Sequence, residues 1–130
     1  MSATSRTWGD SSLLRVIKNP VQRPYTIVVE SSGPEVTFMG APGQPDFAAV
    51  KITYAPRSKI IELKSLKLYW VSFRCEHVSY ERFIHVVYDA LWQVMLPEWL
   101  QLEVEFLPRG GMASRVAIDS RDLQHLAFTT

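Results

Sequence analysis

The stretch VKITYAPRSKIIELKSLKLYWVSFR, residues 50–74, changes its period part-way along. Val50, Ile52 and Tyr54 alternate with Lys51 and Thr53, the pattern of a strand with one buried face, and Pro56 ends it. From Ile60 to Arg74 the apolar residues Leu63, Leu66, Trp70 and Phe73 recur at i, i+3, i+7 and i+10, which predicts a helix. Lys64, Lys67, Val71 and Arg74 repeat that spacing one position on, so a largely basic face adjoins the apolar one.

Working outward from this switch gives the rest of the order. Upstream, Tyr25, Ile27 and Val29 alternate with Thr26 and Glu30, and Ser31-Ser32-Gly33-Pro34 supplies turn chemistry before Val36 and Phe38. One bent strand and two short ones fit equally. Met39 to Pro45 is too rich in Gly and Pro for regular structure. Downstream, Ser79 is a candidate N-cap for a second helix whose buried stripe is Phe83, Ile84, Val87, Leu91 and Val94, with Pro97 past its end. Leu100, Leu102, Val104 and Phe106 then alternate with Gln101, Glu103 and Glu105, Pro108-Arg109-Gly110-Gly111 turns the chain, and Met112 to Ile118 forms the last strand. The order is ββααββ: an α+β fold with a four-stranded antiparallel sheet and both helices on one face. The other face and both sheet edges still need cover, and assembly with further copies supplies it, with sites where subunits meet. Residues 1–24, with Pro20, Pro24 and a short apolar cluster from Leu13 to Ile17, read as an N-terminal arm, leaving residues 25–130 as one domain.

Composition bounds the function. With 47% hydrophobic and 21% charged residues in a chain of 130, disorder and low complexity are excluded and one core is expected. No apolar run is long enough for a membrane helix, no secretion signal opens the chain, and a single cysteine forms no internal disulfide, so a cytoplasmic setting is the default. The net charge of +1 selects no partner, and without Lys/Arg runs no direct nucleic-acid binding is expected. Charge is nonetheless segregated: residues 51–82 carry seven basic groups against three acidic ones, and residues 83–108 carry four acidic groups and no basic one.

Several residues could carry chemistry. Asp46, in Gly43-Gln44-Pro45-Asp46-Phe47, could move protons if partly buried, or could simply be a turn aspartate. Glu81 falls in the first turn of the second helix, where the macrodipole favours a carboxylate whatever its role. Lys64, Lys67 and Arg74 could seat a phosphate or be a solvated helix face, and Arg109-Gly110-Gly111 combines a guanidinium with backbone access, or is just a hairpin turn. Glu81, His85 and Asp89 share one helix face, but metal sites gather ligands from more than one element, so no metal is expected. Cys75 has no clear activator and reads as a bystander.

Three segments taken together closely resemble the short-chain form of the 7-cyano-7-deazaguanine reductase (QueF) family. They are Gly43-Gln44-Pro45-Asp46-Phe47, the run Glu62-Leu63-Lys64-Ser65-Leu66-Lys67-Leu68-Tyr69 on to Ser72-Phe73-Arg74, and Pro108-Arg109-Gly110-Gly111. The likeness covers about residues 25–118 in order and spacing. It implies the tunnelling fold (T-fold) shared with GTP cyclohydrolase I, homo-oligomeric rings with sites between subunits, and NADPH-dependent reduction of a nitrile in queuosine biosynthesis, a tRNA modification. It further implies that Glu81 accepts hydrogen bonds from the 7-deazaguanine edge, that Glu62, Leu63 and Tyr80 line the same pocket, that Lys64, Lys67, Arg109 and Gly110 face NADPH, and that Asp46 transfers protons.

Two departures stand out. The family has a cysteine just upstream of the Gly-Gln-Pro-Asp segment, which adds to the nitrile to form a covalent thioimide. Here the stretch is about one residue shorter and that position falls on Met39 or Gly40, neither of which can act as a nucleophile. The family's histidine before the substrate glutamate is Tyr80 here. The expectation is therefore a reductase of this family, or a diverged member with weak or altered activity. The alternatives are a non-catalytic deazapurine- or pterin-binding module and an amidine- or amide-forming relative.

Overall fold

The computed structural model of the chain describes residues 8–32, 36–39, 44–109 and 111–127. Its centre is strand β4, Pro45–Ala55, and strand β6, Trp99–Arg109, paired antiparallel from Ala48↔Phe106 to Ala55↔Trp99. Every second residue of each, Ala48, Val50, Ile52 and Tyr54 with Leu100, Leu102, Val104 and Phe106, is buried, which is the face that the period-two pattern marks. Strand β2, Ile27–Ser31, lies on the other side of β4, and β7, Met112–Asp119, lies beyond β6, so the sheet runs β2-β4-β6-β7 with all neighbours antiparallel. The question of one bent strand or two is settled in favour of two: β3, Thr37–Met39, pairs with the start of β4 alongside β2. Met39 and Pro45, expected outside regular structure, face each other in that ladder, because proline is tolerated as the first residue of a strand. Residues 40–43 lie outside the described part.

Helix α1, Leu63–Val71, is shorter than the expected span from Ile60 to Arg74. Ile60 and Ile61 belong instead to β5, Lys59–Ile61, and Glu62 caps the helix in extended geometry. The cap also rotates the buried stripe. Leu63 is 59% exposed, and Leu66, Tyr69 and Trp70, with Phe73 just past the helix end, fill the core. Helix α2, Tyr80–Met95, begins at Ser79 as its sequence indicates, the Ser79 hydroxyl accepting from the Arg82 N–H at 3.2 Å. It ends on Leu96, whose left-handed φ of 47° breaks the helix one residue before Pro97. Phe83, Ile84, Val87 and Leu91 are buried as expected, joined by Tyr88 and Met95, while Val94 is only partly covered.

Two features were not expected. Helix α3, Ser120–Ala127, follows β7 directly, and its buried Ser120 accepts from the Leu100 N–H at 2.9 Å. The second is that part of the amino-terminal arm is built into the structure. A short 3-10 turn, Ser11–Leu13, capped by Asp10, leads to β1, Val16–Lys18, which pairs with β5. Leu14 is buried in the core, and the Arg15 N–H donates to the Ser65 hydroxyl at 2.9 Å.

Helices α1 and α2 and the buried strand face share one apolar core. The opposite face carries Glu30, Lys51 and Glu103 side by side across three strands, with Glu105 and Arg115 paired at 3.2 Å nearby. No helix among the described residues is long and apolar enough to cross a membrane.

Candidate functional site

The expected site residues fall into two groups. The first lies where α1 meets β2. Glu62 turns both carboxylate oxygens onto the helix start, accepting from the Lys64 N–H at 3.0 Å and the Ser65 N–H at 2.9 Å. Those amides are thereby taken, so an anion at this helix end must be met by side chains instead. Lys64 and Lys67 are both exposed, three residues apart on one side of α1. Lys67 and Leu63 line a cleft of about 360 Å³ whose floor is Trp70 and whose far wall is Glu30, Ser31 and Ser32 of the β2 end. The Trp70 indole N–H donates to the Ser31 hydroxyl at 3.0 Å, locking the floor to the strand. One lining cation, Lys67, with Lys64 exposed nearby on the same helix and two serines on the far wall, suits a phosphate-bearing ligand, with Glu30 directing its anionic part toward the lysines.

The second group lies at the start of β4. Asp46 is 7% exposed and stands across the ladder from Phe38. The Phe38 ring meets Tyr80 edge-on at 6.2 Å, and Tyr80 stacks on Phe106 with centroids 3.9 Å apart. Met39, one residue from Phe38, is bridged to the segment before α2: its N–H donates to the Glu76 carbonyl at 2.8 Å, and its carbonyl accepts from the Val78 N–H at 3.4 Å. The same segment is tied down by Trp8, whose indole N–H donates to the His77 carbonyl at 2.9 Å. Phe38, with Asp46 across from it and the Met39 backbone beside it, thus meets Tyr80 and Phe106 in an aromatic wall at the start of β4. Glu81 is exposed in the first turn of α2 and does not line the Lys67 cleft.

Within one chain the two groups stay apart. Asp46 is four residues from Val50, which pairs with Ser31 on the cleft wall, a separation on the order of 13 Å along the strand. Arg109 ends β6 opposite Met112, while its side chain and Gly110 lie outside the described residues. Among the described residues no three His, Cys, Asp or Glu side chains come together as a metal site, so the shared face of Glu81, His85 and Asp89 does not make one. Cys75 is exposed. Trp70 is buried, as its helical spacing predicts, and also borders the cleft. The Ser31–Ser32 wall is not foreseen, since nothing in a serine pair before a turn distinguishes a cleft wall from turn chemistry.

The family model described as QueF-like protein spans residues 45–125, more than half of the chain. The chain belongs to the QueF-like family. Among curated relatives in it, an NADPH-dependent 7-cyano-7-deazaguanine reductase of Sulfurovum sp. (strain NBC37-1) is 40% identical over 103 residues, 78% of this chain and 81% of that one. One of the same name from Aquifex aeolicus is 35% identical over 126 residues, 92% of this chain and 96% of the relative, so the likeness runs nearly end to end. A third, from Nitrosomonas europaea, is 41% identical over 113 residues, 85% of this chain and 80% of that one. Among solved structures, the apo form of the archaeosine synthase QueF-Like superposes with a TM-score of 0.66, covering 75% of this chain and 94% of the other at 16% identity. At that identity the match shows a shared fold, which the ββααββ core of this QueF-like chain displays.

Proposed function

We propose that this chain reduces the nitrile of 7-cyano-7-deazaguanine to the aminomethyl base with NADPH, and does so without a protein thiol on the substrate. The observation that carries the reading is the Glu62–Tyr69 run, which folds as a capped helix presenting Lys64 and Lys67 beside an indole-floored cleft, in a chain whose relatives are named for this reaction. Lys64, Lys67 and Arg109 hold the cofactor phosphates, and Gly110 leaves room for their approach. NADPH, when bound, supplies hydride, and one nitrile carbon needs two. Glu81 accepts hydrogen bonds from the donor edge of the base, and Tyr80, Leu63 and the Glu62 backbone line its pocket. The Glu62 carboxylate is occupied as a helix cap, so its part is to fix the position of Leu63 and the two lysines.

Two protons must reach the nitrile nitrogen as the two hydrides reach the carbon. Asp46, buried across the ladder from Phe38, delivers them from solvent. A thiol at position 39 or 40 would hold the half-reduced intermediate covalently. This chain must hold it by hydrogen bonds alone, so it turns over more slowly than thiol-bearing relatives. The two groups of residues complete one site in a homo-oligomer, where a second copy also covers the charged sheet face. The setting is cytoplasmic.

The test is mass spectrometry of the small molecules after incubation of the protein with 7-cyano-7-deazaguanine and NADPH. The aminomethyl base is the expected product. Unchanged nitrile with the base bound would instead make the chain a deazapurine-binding module, and an amide or amidine would place it with the non-reducing chemistry of the family.

A further inference from the structure

A second cleft lies on the far side of α1, between the amino-terminal segment and the outer face of α2. At about 720 Å³ it has twice the volume of the Lys67 cleft, and the two share no lining residue. Arg82, His85, Asp89 and Gln93 form a polar ridge along three turns of α2, and Val86, Ala90 and Val94 form an apolar ridge beside it. Trp8 closes one end, with the Arg82 guanidinium lying over its ring at 5.3 Å.

Tyr69 lies in the lining of this cleft. It is 0% exposed, and its hydroxyl has no hydrogen-bond partner among the described residues. Burial, and after it the charge of Asp89, push that hydroxyl above the usual phenol range, so it keeps its proton and remains a donor. A buried hydroxyl without a partner is costly, and such groups are retained where something pairs with them. Asp89 can only accept. The His85 Nδ1 lies 2.8 Å from the Glu81 carbonyl, which also can only accept, so Nδ1 carries a proton.

The geometry points to a second ligand site here, for a neutral planar heterocycle whose edge sets a carbonyl acceptor next to an N–H donor, as in a nucleobase. Its carbonyl accepts a hydrogen bond from the Tyr69 hydroxyl and its N–H donates to Asp89. The ring lies between the Arg82–Trp8 shelf and the apolar ridge of Val86, Ala90 and Val94. A free nucleoside and a base within a single strand of RNA present the same edge. This site stands apart from the reading of the Lys67 cleft and does not depend on it.

The probe is uridine, titrated calorimetrically into wild type, Tyr69→Phe and Asp89→Asn, with a short oligouridylate in parallel to separate the two sources. Binding to wild type, weakened about tenfold or more in both variants, is expected, with 7-cyano-7-deazaguanine affinity unchanged. Tyr69→Phe should also melt no lower than wild type without ligand, because it removes an unpaired buried hydroxyl. Absence of uridine binding, or binding indifferent to both changes, would overturn the proposal. So would a Tyr69→Phe protein that melts lower, since the hydroxyl would then be serving the fold. Asp89 is exposed, so its variant reports on binding even if the tyrosine variant folds poorly.

Discussion

At position 39 or 40 the family's thiol is replaced by a thioether or by no side chain, while Asp46, Glu81 and the two lysines of the family's motifs remain in the sequence. The most direct repair is a cysteine at each of these positions in turn. We expect one of Met39→Cys and Gly40→Cys to raise nitrile reduction about tenfold or more and to show the protein mass plus that of the nitrile when NADPH is omitted. No adduct and no gain in either would mean that the substrate does not pass the start of β4. In the proposed reading, Glu81 and the lysines divide the two ligands between them. Glu81→Ala should weaken binding of the base about 10- to 100-fold with NADPH affinity intact, as loss of hydrogen bonds to a carboxylate implies. Lys64→Ala with Lys67→Ala should do the reverse, and a calorimetric titration of each ligand into each variant separates the two effects.

Elements are joined by a few buried polar contacts, and these were the hardest features to foresee. The Ile61 N–H donates to the Tyr54 hydroxyl at 3.0 Å, tying β5 and the entry to α1 onto β4. Tyr54→Phe leaves that N–H buried and unpaired and should cost about 1–3 kcal/mol in denaturant unfolding. A cost near zero would mean that the junction relaxes. At the other end, Asp119 is held below the usual carboxylate range by the hydrogen bond from the Arg121 side chain, in spite of partial burial, and Arg121 covers the Trp99 ring at 3.9 Å. The sign follows from the lowered value in the folded state. The contribution of this clamp is complete above the ordinary carboxylate range and fades as pH falls toward the lower native value. Asp119→Asn should therefore lose stability near neutrality and show a flatter acid limb in thermal melts, whereas parallel acid limbs would deny the clamp a role.

The same contacts explain what was legible in the sequence. Long alternation fixes a strand whatever it packs on, so β4 and β6 were read from Val50–Tyr54 and Leu100–Phe106, and Ser79 marked the start of α2 correctly. Short elements carry too few residues for a period to show. Strand β1, strand β5 and the shift of the α1 stripe from Leu63 to Tyr69 all depend on Glu62 acting as a cap, and its run of neighbours reads equally well as continuous helix. Helix α3 was missed because its eight residues follow a strand without an apolar run of their own. For the proposed site, the lysines, Asp46, Tyr80 and Glu81 are named by the resemblance to family motifs. The Trp70 floor and the orphan Tyr69 hydroxyl were not legible, since a buried aromatic at helical spacing looks the same whether or not a cleft opens beside it.

For the whole molecule, the central claim is that a chain without the family's thiol still passes hydride from NADPH to a nitrile carbon. The measurement that meets it most directly uses NADPH deuterated at the transferring position of the nicotinamide, with mass spectrometry of the base that results. Two deuterium atoms on the aminomethyl carbon are predicted, one for each hydride. Unlabelled nitrile recovered intact, or a product without deuterium on that carbon, would contradict the account.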